Sequence, residues 1–203
     1  MSVKNCLISV FNKDNLDVLT PYLEENNYNI YTTGGTYSVI HGLIKDKNRV
    51  ISISDYTKFP EICSGRVKTL HPKIYGGILG LRDVQSHLDD LQQNNCILFD
   101  IVVVNLYPFV DYYKKYKRNK VIEMIDIGGP SLIRAASKNF QYVTAINEID
   151  DYSKLIRNLE KNKGETDYEF RKKMAAKTFK TTSKYDRLIY NWINIYVRKL
   201  VLI

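Results

Sequence analysis

Five short apolar runs, separated by stretches with helical periodicity, constrain the fold of this 203-residue chain more than any other feature. The runs are Cys6–Val10, Tyr28–Thr32, Val50–Ile53, Ile101–Val104 and Tyr142–Ile146. Such short runs between turns favour strands over helices. Strands that alternate with helices are typical of βαβ units around a parallel sheet. The sequence therefore predicts an α/β domain over residues 1–150 with a mainly parallel five-stranded sheet.

Helical spacing fills the intervals between these runs. Helices are predicted over about 14–25, with Asn12 as a cap, and over 36–43, 83–94 and 131–139. Residues 151–203 read as a C-terminal helical extension. Its apolar residues recur at positions 185, 189, 192 and 196, a stripe expected to pack on the same domain or on a partner subunit.

The net charge of +8 comes from this extension and not from the domain. Residues 171–203 hold nine Lys or Arg and one acid, Asp186, so the first 170 residues balance to zero. A second basic cluster, between Lys114 and Lys120, is interpreted as a solvated loop. Because the basic tail also carries the apolar stripe, we expect packing and no nucleic-acid partner.

Cysteine and histidine usage excludes other classes of site. Three cysteines without CxxC spacing and three scattered histidines favour reduced thiols and no metal centre. The longest apolar runs are too short to span a bilayer, and the N-terminus lacks a signal or transit pattern. The sequence therefore predicts a cytoplasmic protein with no membrane association.

Polar and glycine-rich residues follow the predicted strands, where open α/β sheets bind ligands. In Thr33-Gly34-Gly35-Thr36, between a strand and a helix, backbone N–H groups and hydroxyls suit a phosphate group. The segment Gly65–Gly77 places Arg66, Lys68, Thr69 and His71 between glycines, with Pro72 stiffening its middle. Taken singly, an ordinary helix start and a basic surface turn explain these segments as well; their joint position at strand ends favours a site.

Further motifs continue this pattern and carry a resemblance to a known family. They are Asp55–Glu61, Asn105-Leu106-Tyr107-Pro108-Phe109, Ile125-Asp126-Ile127-Gly128-Gly129, Arg134–Asn139, Ala175–Phe179 and Tyr185-Asp186. In this order they resemble the IMP cyclohydrolase domain of the bifunctional purine biosynthesis enzyme over nearly the whole chain. The resemblance implies a methylglyoxal synthase-like three-layer sandwich.

The resemblance also implies an activity, the dehydrative ring closure of FAICAR to IMP, without metal or cofactor. It implies that Lys68, Tyr107, Asp126 and Lys138 lie at the reacting atoms. We expect Asp126 and Lys138 to form a coupled proton-transfer pair, with the base unassigned, while Lys68 and Tyr107 orient the formyl group. Substrate binding is implied for Asn12, Lys13, Thr33, Gly34, Gly35, Thr36, Arg66, Thr69 and Gly129, and Asn105 would fix the base. The backbone N–H groups around Ile127 and Gly128 are the candidate oxyanion donors within the same substrate-binding set.

Two departures and two alternatives accompany this interpretation. Phe11 stands where the family commonly has a serine that would contact phosphate, and Thr33 stands where serine is common. Family members form homodimers, so a homodimer is expected. The family's transformylase half would begin where this chain ends, which leaves open a stand-alone enzyme served by a separate transformylase or a fragment. A ribotide sensor with the same fold but no chemistry is one alternative function, and the reactive set disfavours it. Methylglyoxal synthase itself is an enzyme alternative, which the segments Lys68–Pro72 and Ile125–Gly129 disfavour.

Overall fold

A five-stranded parallel sheet forms the centre of the described part of the chain. The computed structural model describes residues 3–200, with side chains through residue 195. The strands are β1 (Lys4–Ile8), β2 (Tyr28–Thr32), β3 (Val50–Ser52), β4 (Ile101–Val103) and β5 (Thr144–Ile146). Their order is β3-β2-β1-β4-β5, and every neighbouring pair is parallel. The predicted α/β class and five-stranded sheet are confirmed, and the sheet is wholly parallel.

Helices cover both faces of the sheet. They are α1 (Leu16–Glu25), α2 (Gly34–Leu43), α3 (Ile53–Thr57), α4 (Pro72–Leu79), α5 (Gln85–Gln93), α6 (Phe109–Lys115), α7 (Arg118–Ile122), α8 (Gly128–Lys138), α9 (Tyr152–Lys161) and α10 (Tyr168–Leu200). The alternation of side chains along β1 builds the two layers. Cys6 and Ile8 join the core beneath α1, α2 and α9, whereas Leu7 joins the core beneath α4 and α8.

The glycine-rich segment is not a loop throughout, because α4 begins at Pro72. Proline suits the first helical position, and His71 precedes it as the cap, its Nδ1 accepting from the backbone N–H of Lys73 at 3.2 Å. A Cβ atom on Gly77 would lie 2.0 Å from the carbonyl oxygen of Ile97. Gly77 therefore serves close packing inside a helix, a role that the sequence pattern did not separate from a turn.

Two further predictions are corrected. The basic cluster between Lys114 and Lys120 lies largely in α6 and α7, because Phe109 and Val121 anchor these short helices to the core. Asn12 does not cap α1. Its Oδ1 accepts from the N–H of Asp14, and the helix begins only after Asn15, which has left-handed φ.

The C-terminal helix α10 packs on α8 and β5. Tyr185, Ile189 and Trp192 of the predicted stripe pack around Phe109 and Val121, while the side chain of Tyr196 lies outside the described residues. No helix in the described part of the chain has the length and apolarity needed to cross a bilayer.

Candidate active site

The site lies at the carboxyl edge of the sheet, where the N-termini of α2 and α8 flank the ends of β1, β2 and β4. In a parallel sheet these ends share one edge, so segments far apart in sequence meet there. The predicted turn Thr33–Thr36, the loop 65–69, the segment 105–107 and the segment 126–129 all contribute. Within the described residues, no cluster of three or more His, Cys, Asp or Glu side chains could hold a metal ion.

The Thr33–Thr36 turn begins α2 and offers backbone donors. Thr33 is extended, its hydroxyl lies 3.2 Å from that of Ser9, and Gly34 has a φ of +41°. The first N–H groups of a helix lack intrahelical acceptors, which suits them to an anion. The hydroxyl of Thr36 is buried and donates to the carbonyl of Val10 at 3.1 Å, so it joins the turn to β1.

Two lysines flank this turn. A Cβ atom on Gly34 would lie 3.8 Å from Nζ of Lys68, and one on Gly35 would lie 3.9 Å from Cε of Lys13. The Lys68 ammonium pairs with a carboxylate oxygen of Glu61 at 3.5 Å. The structure thus brings two predicted cations to the turn and adds a carboxylate that had no predicted role.

Arg66 and Thr69 occupy different parts of the neighbouring loop. The guanidinium of Arg66 pairs with Glu123 at 3.2 Å, and both side chains are more than half exposed. Thr69 is buried, and a Cβ atom on Gly128 would lie 3.0 Å from its hydroxyl oxygen. Thr69 therefore lies against the start of α8, whereas Arg66 lies at the rim of the site.

Asp126 is fixed at the N-terminus of α8. Its Oδ1 accepts the backbone N–H of Gly129 at 2.8 Å, and its own N–H donates to the hydroxyl of Tyr185 at 2.8 Å. A Cβ atom on Gly129 would lie 2.4 Å from Oδ2 of the same carboxylate. Only glycine leaves room for this arrangement.

Burial raises the pKa of Asp126 above its usual value, and the hydrogen bond from Gly129 offsets part of the rise. A carboxyl group with a raised pKa accepts and returns protons more readily near neutral pH than an exposed one. Ile127 is 62% exposed beside it, so solvent reaches this side of the start of α8. Together these groups provide a proton acceptor next to backbone donors.

Asn105 binds the chain after β1. Its Oδ1 accepts from the N–H groups of Phe11 and Asn12 at 2.7 and 2.9 Å, and its Nδ2 donates to the carbonyl of Asn12 at 2.7 Å. These three bonds engage both ends of the amide. In this structure Asn105 therefore positions the Phe11–Lys13 segment.

Tyr107 lies beside the same segment. Its ring centroid is 4.9 Å from that of Phe11, which is also 6.3 Å from the ring of Tyr112. The phenyl ring of Phe11 thus packs among aromatic side chains at the position of the family's serine. Tyr107 is only partly buried, so its hydroxyl is a candidate for contact with a ligand.

Lys138 lies far from Asp126 within one chain. It is exposed in the last turn of α8, ten residues after Gly128, which corresponds to about 15 Å along the helix axis. The expected pair of Asp126 and Lys138 is therefore not formed inside a single subunit. The length of α8 separates the two residues.

Sequence reasoning missed three groups that touch the predicted site residues: Glu61, Glu123 and Tyr185. Glu61 and Tyr185 stand inside the matching motifs, but nothing in their spacing indicates contact with Lys68 or Asp126. Tyr185 was expected only to pack, and its hydroxyl also holds the backbone of Asp126. These contacts depend on tertiary geometry.

Two protein-family models match the chain. The MGS-like domain matches residues 16–131, and the AICARFT/IMPCHase bienzyme family matches residues 136–200. The crystal structure of ForH resembles this structure with a TM-score of 0.76 and 28% identity, covering 93% of this chain and 98% of that chain.

Curated relatives match over nearly the full length of the chain. The bifunctional purine biosynthesis protein PurH of Caldicellulosiruptor bescii is 46% identical over 97% of this chain and 38% of its own length. The PurH proteins of Clostridium acetobutylicum and Rhizobium rhizogenes are 45% and 44% identical, over 94% and 95% of this chain and 38% and 35% of their own lengths. The chain thus spans less than two fifths of these relatives. The resemblance inferred from the motifs is confirmed, and the chain belongs to the MGS-like domain family.

Proposed function

We propose that this protein is an IMP cyclohydrolase that closes the pyrimidine ring of FAICAR to give IMP and water. The observation that carries the proposal is the carboxylate of Asp126, which has a raised pKa and lies against the N-terminus of α8. The matches to PurH proteins and to the AICARFT/IMPCHase family support the same reaction.

The chemistry requires a weak nucleophile to be held and deprotonated. The carboxamide nitrogen of FAICAR attacks the formyl carbon, a carbinolamine forms, and its hydroxyl leaves as water. Asp126 is suited to take the proton from the carboxamide nitrogen. The N–H groups of Ile127 and Gly128 are suited to stabilise the oxyanion that develops on the formyl oxygen, since the next one, of Gly129, is bonded to Asp126.

In this proposal, the Thr33–Thr36 turn and the lysine beside it supply the binding energy for the ribotide. The 5-phosphate binds at Thr33–Thr36, with Lys13 beside it. Thr69 and Arg66 contact the ribose. Lys68 and Tyr107 polarise or orient the formyl group. Holding the two reacting groups in contact is itself a large part of the rate enhancement for an intramolecular closure.

Lys138 requires a second subunit in this scheme. It lies about 15 Å along α8 from the end that carries Asp126, so the lysine of the same chain does not reach that carboxylate. If Lys138 takes part in the reaction, it does so from the partner in a homodimer. A cytoplasmic location and a FAICAR supply from a transformylase complete the proposal.

The deciding experiment incubates purified protein with FAICAR and follows the ultraviolet change on purine formation. Turnover that disappears in the Asp126→Asn variant supports the proposal. Tight IMP binding without turnover would instead indicate a ribotide sensor. Absence of both would reject purine ribotides as ligands of this domain.

A further inference from the structure

Glu61 lies opposite Lys68 in a short hairpin whose geometry fixes the pair. Ile62 and Val67 exchange backbone hydrogen bonds, with N···O distances of 3.2 and 3.4 Å. In such an antiparallel bridge the next residues outward also face one another, which aligns Glu61 with Lys68. Their charged atoms lie 3.5 Å apart, and both side chains are between one third and one half exposed.

The same carboxylate also faces the start of α2. A Cβ atom on Gly34 would lie 3.7 Å from Oε1 of Glu61, and one on Gly65 would lie 3.5 Å from Oε2. One oxygen therefore approaches the turn at the helix N-terminus while the other faces the ammonium of Lys68. An anion is stabilised at this position by the helix dipole and the free N–H groups.

We propose that Glu61 is an internal counter-ion that occupies the anion-binding turn and is displaced when a phosphorylated ligand enters. The inference rests on the proposed function in one respect, namely that the ligand's phosphate binds at Thr33–Thr36. Glu61 then sets the affinity for the phosphate group, because the incoming phosphate must displace a carboxylate that already faces the same turn. Its displacement also frees Lys68, which the proposed function places at the formyl group. An unphosphorylated nucleoside leaves the carboxylate in place.

Replacing the carboxylate by an amide of the same shape tests this competition. Glu61→Gln should lower the Kd for IMP by about two- to five-fold, the range that exposed ion pairs support. The Kd for inosine, measured in parallel by calorimetry, should stay unchanged. Glu169→Gln is the matched control, since Glu169 forms a similar exposed pair with Lys172 at 3.9 Å on α10, away from the turn.

Three results would overturn the inference: an IMP affinity in Glu61→Gln no higher than in the unaltered protein, an equal gain in Glu169→Gln, or an equal gain for inosine. Its failure is distinguishable from failure of the proposed function. If the protein turns over FAICAR and Glu61→Gln leaves the Kd for IMP unchanged, only the proposed role of Glu61 is rejected. If Glu61→Gln binds IMP more tightly but the protein does not turn over FAICAR, only the proposed cyclohydrolase activity is rejected. If none of the proteins binds IMP, both proposals are rejected.

Discussion

The hydroxyl group of Tyr185 accepts the backbone N–H of Asp126 at 2.8 Å and donates to the carbonyl oxygen of Met124 at 3.2 Å. Burial raises the pKa of Tyr185 to about 12, so the hydroxyl keeps its proton at neutral pH. One side chain of α10 thereby holds the backbone on which the candidate proton acceptor is mounted. The C-terminal helix is part of the site's framework.

Tyr185→Phe should destabilise the protein by about 1–3 kcal/mol, because the N–H of Asp126 loses its partner in a partly buried place. Turnover of FAICAR should also fall, since the Asp126 backbone is no longer fixed. Urea unfolding and the ultraviolet assay measure the two effects. Tyr190→Phe is the control, because Tyr190 is 65% exposed on the same helix and should tolerate the change. Equal losses of stability and turnover in both variants would contradict the role of the Tyr185 hydroxyl in holding the Asp126 backbone.

Asp126→Asn should reduce turnover by about 100-fold or more, the usual range for removing a general base or acid. IMP binding should persist, because the proposed phosphate contacts lie at the start of α2 and not at α8. A variant that retains more than a tenth of the activity would reject Asp126 as the proton acceptor.

The pH dependence of the free energy of unfolding tests the raised pKa of Asp126. Its pKa is raised in the folded state, so the folded protein binds this proton more tightly than the unfolded chain. The resulting stabilisation is complete below the unfolded pKa, about 3.9, and is lost as pH rises through the folded pKa. Asparagine does not titrate, so the stability difference between Asp126→Asn and the unaltered protein should shift in favour of the variant over that window. Urea unfolding at several pH values checks the sign.

Gly129→Ala should impair the site, because its Cβ would lie 2.4 Å from the Asp126 carboxylate. We expect a loss of about 1–3 kcal/mol in stability and at least a tenfold loss in turnover, about the penalty for displacing a catalytic group. Gly42→Ala is the matched control, since its Cβ would meet no atom within 4 Å in α2. That variant should gain about 0.5–1 kcal/mol.

A mixture of two inactive variants tests whether Lys138 acts across a dimer. In a heterodimer of Asp126→Asn and Lys138→Ala, one site combines the intact Asp126 of one chain with the intact Lys138 of the other. Random pairing in a symmetric dimer should therefore restore about a quarter of the unaltered activity. Full activity of Lys138→Ala alone would remove the lysine from the reaction, and a mixture without activity would contradict action in trans.

Phe11→Ser should strengthen IMP binding by restoring the hydroxyl that the family commonly presents to phosphate. The three hydrogen bonds of Asn105 involve only backbone atoms of this segment, so its path should survive the loss of the phenyl ring. Some stability should be lost, about 0.5–1.5 kcal/mol, with the contact to Tyr107. Phe179→Ser, at similar exposure and away from the turn, is the control. Weaker IMP binding would show that Phe11 itself contacts the ligand.

Local patterns predicted the fold well because strands and helices in this chain follow their apolar periodicity. The prediction for β2, Tyr28–Thr32, agrees with the structure at both ends. The helix α4 was missed because Gly76 and Gly77 read as turn residues, and the packing role of Gly77 depends on Ile97, which follows twenty residues later. The helices α6 and α7 were missed because their lysines indicated a solvated loop, although each helix has a buried apolar residue, Phe109 in α6 and Val121 in α7.

The site was predictable in its parts and not in its connections. Strand ends and helix starts located the Thr33–Thr36 turn and Asp126, because a parallel sheet gathers them at one edge. The distance of Lys138 from Asp126 follows from the length of α8, whereas the partners of Asn105 depend on tertiary geometry that spacing does not encode. The pairing of Glu61 with Lys68 depends likewise on the four-residue connection 63–66, whose backbone conformation is unusual, with positive φ at Cys63, Ser64 and Gly65.

The bond from Tyr185 to Asp126 joins residues 59 positions apart, and it sets the order in which the protein can become functional. All five described strands precede residue 147, so an intermediate with a formed sheet and an undocked α10 would lack the contacts of that helix. Such an intermediate would contain Asp126 without the hydroxyl that holds it. The protein would thus gain its competence for chemistry only when α10 docks.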